Sequence, residues 1–192
     1  MIFPCAPARR APCDDLVTAP SHILPRPHPS SLAIEELEKH CEFGRGRSSG
    51  PGGQHRNKVE TLALVTHRPT GIKSHAGERR SAIENKRMAV SRLRLALAVE
   101  VRAEVPAGDV RSEMWRARTP GGRISCSERH HDFPAMLAEA MDVLWACRAD
   151  PKKAAIRLDV TSSQLVRFVQ KHPPAIVRLN EWREAWGMGP LR

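Results

Sequence analysis

The sequence predicts an α+β chain: a small mixed sheet that carries a Gly-Gly-Gln loop and packs under one long helix, followed by a small all-α, helix-turn-helix-like C-terminal module. Three patterns carry this reading. Apolar residues alternate over residues 59–67, with Leu62 and Leu64 on one side and Ala63 and Val65 on the other. Ile83, Val90, Leu93, Leu97 and Val101 recur at helical spacing and should cover the sheet. From Pro134 onward the apolar residues recur at helical spacing between capping and breaking residues.

Taken in order, residues 1–30 hold Pro4, Pro7, Pro12, Pro20, Pro25, Pro27 and Pro29 without periodicity, and they read as a disordered extension. Residues 31–105 read as the α+β unit. Its first element is a short helix over residues 31–40, with Glu35, Glu36 and Glu38 in the early turns where the helix dipole favours anions. A strand over residues 41–47 follows, then the loop, the strand at 59–67, a turn at Arg68-Pro69-Thr70-Gly71 and a returning strand at 72–75. Ser81-x-x-Glu84 is a capping box that opens a helix to about residue 103, with Arg87, Arg92, Arg94 and Arg102 projecting away from the sheet.

Residues 106–130 read as a linker, with a hairpin over residues 114–126 around Pro120-Gly121-Gly122. Residues 131–192 read as the helical module. Its helices are expected at 134–148, at 151–158 behind the N-cap Asp150, at 161–172 behind Thr161-x-x-Gln164, and at 175–186 beyond Pro173-Pro174. The middle pair resembles a helix-turn-helix whose second helix would expose Ser162, Ser163, Gln164, Arg167 and Lys171.

Composition points to an anionic partner. The net charge is +10 over 192 residues. Residues 1–40 carry 4 cations against 5 anions, residues 41–104 carry 13 against 6, and residues 105–192 carry 14 against 10. The excess therefore concentrates in the segment with the glycine loop, which favours nucleic acid over a merely solvated surface. Aromatic residues are 4% of the chain and tyrosine is absent, which disfavours recognition by stacked rings and favours recognition of shape and phosphate. No apolar run of membrane-spanning length occurs, and prolines interrupt each apolar stretch near the start, so neither a membrane span nor a signal peptide is expected. The five cysteines lack Cys-x-x-Cys spacing and read as free thiols of a cytoplasmic protein. Cys126 with His130 and His131 lacks a second ligand pair, which disfavours a zinc site.

The stretch Arg47-Ser48-Ser49-Gly50-Pro51-Gly52-Gly53-Gln54-His55-Arg56-Asn57-Lys58 has no apolar side chain to bury, and its glycines let the backbone approach a large partner. Residues 49–58 resemble the Gly-Gly-Gln signature of class I peptide chain release factors and their ribosome-rescue relatives. The likeness continues through Thr66-His67-Arg68-Pro69-Thr70-Gly71-Ile72, Arg79-Arg80-Ser81, Asn85-Lys86 and Ala89, and it spans roughly residues 42–104.

The resemblance implies hydrolysis of the peptidyl-tRNA ester in the ribosomal peptidyl-transferase centre. Gly52, Gly53 and Gln54 would be the catalytic residues, with no metal or nucleotide cofactor. Arg45, Arg47, Arg56, Lys58, Arg79, Arg80 and Lys86 are the candidates for ribosomal RNA phosphate contacts. The implied partners are the ribosome, peptidyl-tRNA and a glutamine N-methyltransferase acting on Gln54. Full-length release factors carry further domains that read the stop codon, and rescue hydrolases of this family use a basic C-terminal tail. Nothing here has the length of such codon-reading domains, so codon-independent action in ribosome rescue is the expectation, and the helical residues 131–192, which do not match the tail, are the candidate for recognising the stalled ribosome. A non-catalytic ribosome-binding relative and a DNA-binding regulator using the C-terminal helices are the alternatives.

Overall fold

A computed structural model describes residues 22–46 and 61–191. The alternating stretch becomes β3 (Leu62–His67), the central strand of an antiparallel sheet with β2 (Cys41–Gly46) and β4 (Lys73–Ala76) as its edges. The expected mixed sheet is thus antiparallel throughout, and a separate parallel pair joins β1 (His22–Leu24) to β5 (Val101–Ala103). Register places Ala63 opposite Ala76, and both are buried with Val65, while Leu64 lies on the open face. The β3–β4 turn closes through Gly71 N to His67 O (2.7 Å), with Gly71 at φ 68°. Only glycine takes that conformation without strain. His67 Nδ1 and Thr70 Oγ1, both of buried residues, lie 2.8 Å apart across this turn.

The long helix α2 (Ala82–Glu100) follows α1 (Ile34–Lys39) in the chain and starts where Ser81 Oγ accepts from Glu84 N. Val90, Leu93 and Leu97 cover the sheet as expected. Ile83 does not: it is 68% exposed, and Asn85 takes the buried position in the first turn. The helix also stops at Glu100, short of the expected end, because the chain enters β5 to pair with His22–Leu24. That turn reverses the expectation for Arg102, which is 1% exposed. The same pairing orders part of the extension expected to be disordered. His28 Nε2 lies 3.1 Å from Val101 O, and Ser30 Oγ donates to Arg94 O at 2.8 Å. The expected helix over residues 31–40 begins later, after a short 3-10 turn at Pro29–Ser31.

The expected hairpin at residues 114–126 is instead α3 (Glu113–Arg118) and a 3-10 turn at Pro120–Gly122. Ser112 caps α3 by accepting from Trp115 N, and Glu139 holds Ser112 through both its N–H and its hydroxyl. Trp115 is fully buried and donates from Nε1 to Leu158 O at 2.9 Å. Its packing decides the local conformation, whereas the Pro-Gly-Gly signal foretold only the chain reversal, sealed by Ser125 N to Arg118 O at 2.8 Å.

The remaining helices are α4 (Phe133–Ala146), α5 (Pro151–Leu158), α6 (Ser162–Gln170) and α7 (Pro173–Ala185). Asp150 caps α5 and Thr161 caps α6, as expected, and Asp159 makes the turn between them at φ 55°. Pro173 and Pro174 both end α6 and occupy the first turn of α7, where their missing N–H groups cost nothing. Phe133, Met136, Met141, Leu158, Phe168 and Leu179 form a second core with Val110 and Trp115 from the segment read as a linker. Ala98 and Val99 of α2 join this core, so one helix is buried against the sheet on one side and against the helices on the other.

Between these layers Arg102 Nη1 lies 3.2 Å from Asp142 Oδ1, with both side chains buried. Arg102 Nη2 also donates to Ala98 O, and Ala103 N donates to Asp142 Oδ1 at 3.1 Å. Burial pushes the Asp142 carboxyl up, and the guanidinium opposes that rise. Removing one member of a buried pair strands the other charge. Asp142→Ala should therefore lower unfolding free energy by about 3–5 kcal/mol, read from chemical denaturation, while Arg102→Met/Asp142→Leu should recover only the part due to the stranded charge, because Ala98 O and Ala103 N–H lose their partners. Burial, aided by the Arg102 charge, holds His28 down at about 3 from 6.5. The unfolded chain then binds a proton that the folded chain refuses, so this contribution is complete above pH 6.5 and is lost as pH falls toward 3. The melting temperature should fall between pH 6.5 and 4, and His28→Gln should make that decline shallower.

Candidate functional site

The β2–β3 ladder ends with Gly46 opposite Leu62, and residues 47–60 connect the two strands. Arg47, Gly52, Gly53, Gln54, Arg56 and Lys58 lie outside the described residues, which hold the base from which this connection leaves and to which it returns. The base is tight. A Cβ at Gly46 would come within 3.1 Å of Leu62 Cδ2, so a larger residue would have to displace that side chain at the last rung.

The return of the loop is held by one buried amide. Asn85 Nδ2 donates to Thr61 O at 2.6 Å and to Arg79 O at 2.8 Å, while its Oδ1 accepts from Arg79 N at 2.9 Å. Asn85 thereby ties three elements together: the residue after the loop, the first turn of α2, and the bend that carries Arg79 and Arg80. The sequence placed Asn85 only within the family resemblance and gave it no role. The available signal was an amide at position 85 on the same stripe as Ala89 and Leu93, where a buried polar group needs partners.

The candidate RNA-contact residues within the described segments divide into two kinds. Arg45, Arg79 and Arg80 are exposed and have no ion-pair partner among the described residues. Lys86 is engaged: its Nζ lies 2.8 Å from Glu38 Oε2 and 4.3 Å from the centre of the Phe43 ring. That geometry braces α2 against α1 and β2. Arg92 similarly pairs with Glu78 at 2.8 Å and donates to His75 O at 2.9 Å, which fixes the far side of the same bend.

Two other constellations singled out in the sequence take definite positions. His130, His131 and Asp132 bring donor atoms within 4.8 Å of one another, but Arg118 lies 2.8 Å from Asp132 Oδ2. A guanidinium inside the cluster opposes a cation, and Cys126 is buried with its thiol pushed up by that burial. On α6, Gln164 Oε1 accepts from Ile124 N at 2.9 Å and Lys171 Nζ donates to Cys126 O at 2.6 Å. These two residues of the expected recognition face are spent on the segment at 124–126. Ser163 and Arg167 remain exposed, and Ser162 is half-buried.

A helix-capped sheet thus holds both ends of the 47–60 connection, with exposed arginines at the bend tied to Thr61. The model of the RF-1 domain family matches residues 30–114, and over that domain the chain is similar to class I peptide chain release factors. Peptide chain release factor 1 of Leptospira biflexa is 33% identical over 140 residues, covering 64% of this chain and 38% of the relative. Peptide chain release factor 1 of a Nocardioides species is 30% identical over 119 residues, covering 61% and 32%. The chloroplastic peptide chain release factor PrfB1 of Arabidopsis thaliana is 38% identical over 77 residues, covering 40% and 17%. The chain thus spans between 17% and 38% of the length of these relatives. Among the described residues no helix is long and apolar enough to cross a membrane.

The Asn85 bonds carry a direct test. Asn85→Ala would leave part-buried backbone groups of Thr61 and Arg79 without their partner and should cost about 1 kcal/mol, read from the urea unfolding midpoint. Asn85→Asp should be no milder, because it aims a carboxylate at two carbonyl oxygens.

Proposed function

We propose that this protein hydrolyses the ester joining a nascent peptide to tRNA on the ribosome, as a codon-independent release factor acting in ribosome rescue. The observation that carries this reading is the base of the loop. Asn85 fixes the return of the Gly-Gly-Gln segment against α2 and sets Arg79 and Arg80 beside it. A loop that must reach into an RNA-walled centre needs a rigid stem and cations at its foot, and these residues supply both.

In this reading residues 31–105 are the catalytic domain, and the ester carbonyl is already reactive enough for water to attack it. Water adds to the carbonyl carbon, the tetrahedral oxyanion collapses, and the tRNA ribose oxygen leaves with a proton originating from that water. Gly52 and Gly53 give the backbone the shape to enter the centre. The Gln54 N–H donates to the developing charge, and its side chain bounds the water site. A residue without a useful pKa suits this role because its work is positioning. Arg45, Arg47, Arg56, Lys58, Arg79 and Arg80 contact ribosomal RNA phosphates, and Lys86 contributes by bracing α2. The reading also makes Gln54 a target for N-methylation and places the protein in the cytoplasm. It requires no metal or nucleotide cofactor.

The test is peptide release from purified ribosomes carrying peptidyl-tRNA with an empty A site, a stop codon or a sense codon. Release is expected on the empty site alone. Gln54→Ala should slow it about 10-fold or more without abolishing it. Gly53→Ala should be worse, approaching the ~10²–10³ that follows loss of an oxyanion donor. Undiminished release by Gln54→Ala would refute the role of that side chain. Binding without release in the wild type would leave a non-catalytic ribosome-binding relative.

A further inference from the structure

We infer that the groove between α5 and α6 is a second RNA site, one that grips the sugar-phosphate backbone of a double-stranded RNA segment. It rests on the ribosomal reading above only for where such RNA would be met. The cavity there measures about 620 Å³, and its polar lining includes Lys152, Ser162, Ser163, Arg167, Gln170 and Arg183. Lys152 and Arg167 are exposed and have no ion-pair partner among the described residues. Arg183 is held in place by Ala149 O at 2.7 Å and Gly189 O at 2.7 Å, which keeps its charge at the wall. Asp150, the acid at the rim, already accepts from Lys152 N at 2.9 Å and Lys153 N at 3.4 Å.

The lining selects the kind of partner. Exposed cations beside a held Arg183, with hydroxyl and amide groups, suit phosphates and ribose 2′-hydroxyls, which can both donate and accept. No aromatic ring lines the groove, so unpaired bases would find nothing to stack on. Base reading in a DNA major groove would use the exposed side of α6, yet Gln164 and Lys171 are bonded to the backbone at Ile124 and Cys126. What remains is recognition of backbone and shape, the mode by which double-stranded RNA is bound. The position of the groove in the helical module gives this chain a contact independent of the Gly-Gly-Gln loop.

The test uses the full chain and a 20-base-pair RNA duplex as probe (about 20 pairs exceed the ~16 that a double-stranded RNA-binding domain spans), with a DNA duplex of the same sequence beside it. Lys152→Ala/Arg167→Ala should weaken RNA binding about 10-fold and reduce the salt slope by about 2, one for each lost phosphate contact. Lys73→Ala/Arg129→Ala removes the same charge elsewhere on the surface and should change affinity less than about 2-fold. Ser163→Glu, which places an anion in the groove, should reproduce the loss with the melting temperature unchanged. Equal losses in the two double variants, DNA bound as tightly as RNA, or no duplex binding by the wild type would each overturn the inference. Groove-dependent duplex binding by a wild type that releases no peptide would instead overturn the function proposed above and leave this site standing.

Discussion

Helix α2 has to be buried on two sides, and the rest of the fold follows from that constraint. Val90, Leu93 and Leu97 need the sheet, while Ala98 and Val99 need the C-terminal helices. A helix buried on one face can be completed by a small sheet alone; one buried on both faces needs a second layer. Residues 110–182 supply that layer, and the short parallel pair of β1 and β5 closes the seam where α2 ends. The seam also explains the buried charges. The chain turns sharply out of a helix there and leaves backbone groups with no regular partner. Arg102 takes up the carbonyl of Ala98, and Asp142 takes up the N–H of Ala103. Such a pair stabilises less than apolar packing would, but it satisfies polar groups that a hydrocarbon could not.

At the other end of α2 the same logic operates without charge. Asn85 occupies a position where Leu would add apolar burial, and its two polar ends complete three backbone groups instead. Asn85 fixes Thr61, the residue that follows the 47–60 connection, together with the adjoining bend, while Gly46 and Leu62 close the last rung of the sheet at its other end.

Local signals in the sequence were legible wherever local physics decided the outcome. Ser81, Asp150 and Thr161 announce helix starts because a cap is a bond within three residues. Pro69 and Gly71 announce a turn because φ is set residue by residue. Arg102, Trp115 and His28 were misplaced for the opposite reason. Each is positioned by a contact more than 35 residues away, with Asp142, Leu158 and Val101 respectively. No propensity carries information of that range. The candidate site was legible as chemistry, through its glycines, glutamine and arginines. Its supporting amide at Asn85 was not, since an isolated asparagine in a helical stretch announces neither burial nor partners.

The distribution of charge separates cations paired within the fold from cations left exposed. Arg111, Arg116, Arg118 and Arg178 are each paired with a carboxylate, and the C-terminal excess of cations over anions is correspondingly modest. Only Arg116 is exposed, where such a pair adds at most about 1 kcal/mol; Arg111, Arg118 and Arg178 are half-buried, and all four pairs cancel charge within the helical layer. Arg45, Arg79 and Arg80 near Thr61 and Lys152 and Arg167 in the groove of the helical layer are exposed without an ion-pair partner among the described residues, as are Lys73 and Arg129 elsewhere on the surface. Screening confines the field of each group to roughly 8–10 Å in physiological salt. An approaching polyanion therefore meets separate patches rather than a uniformly basic surface.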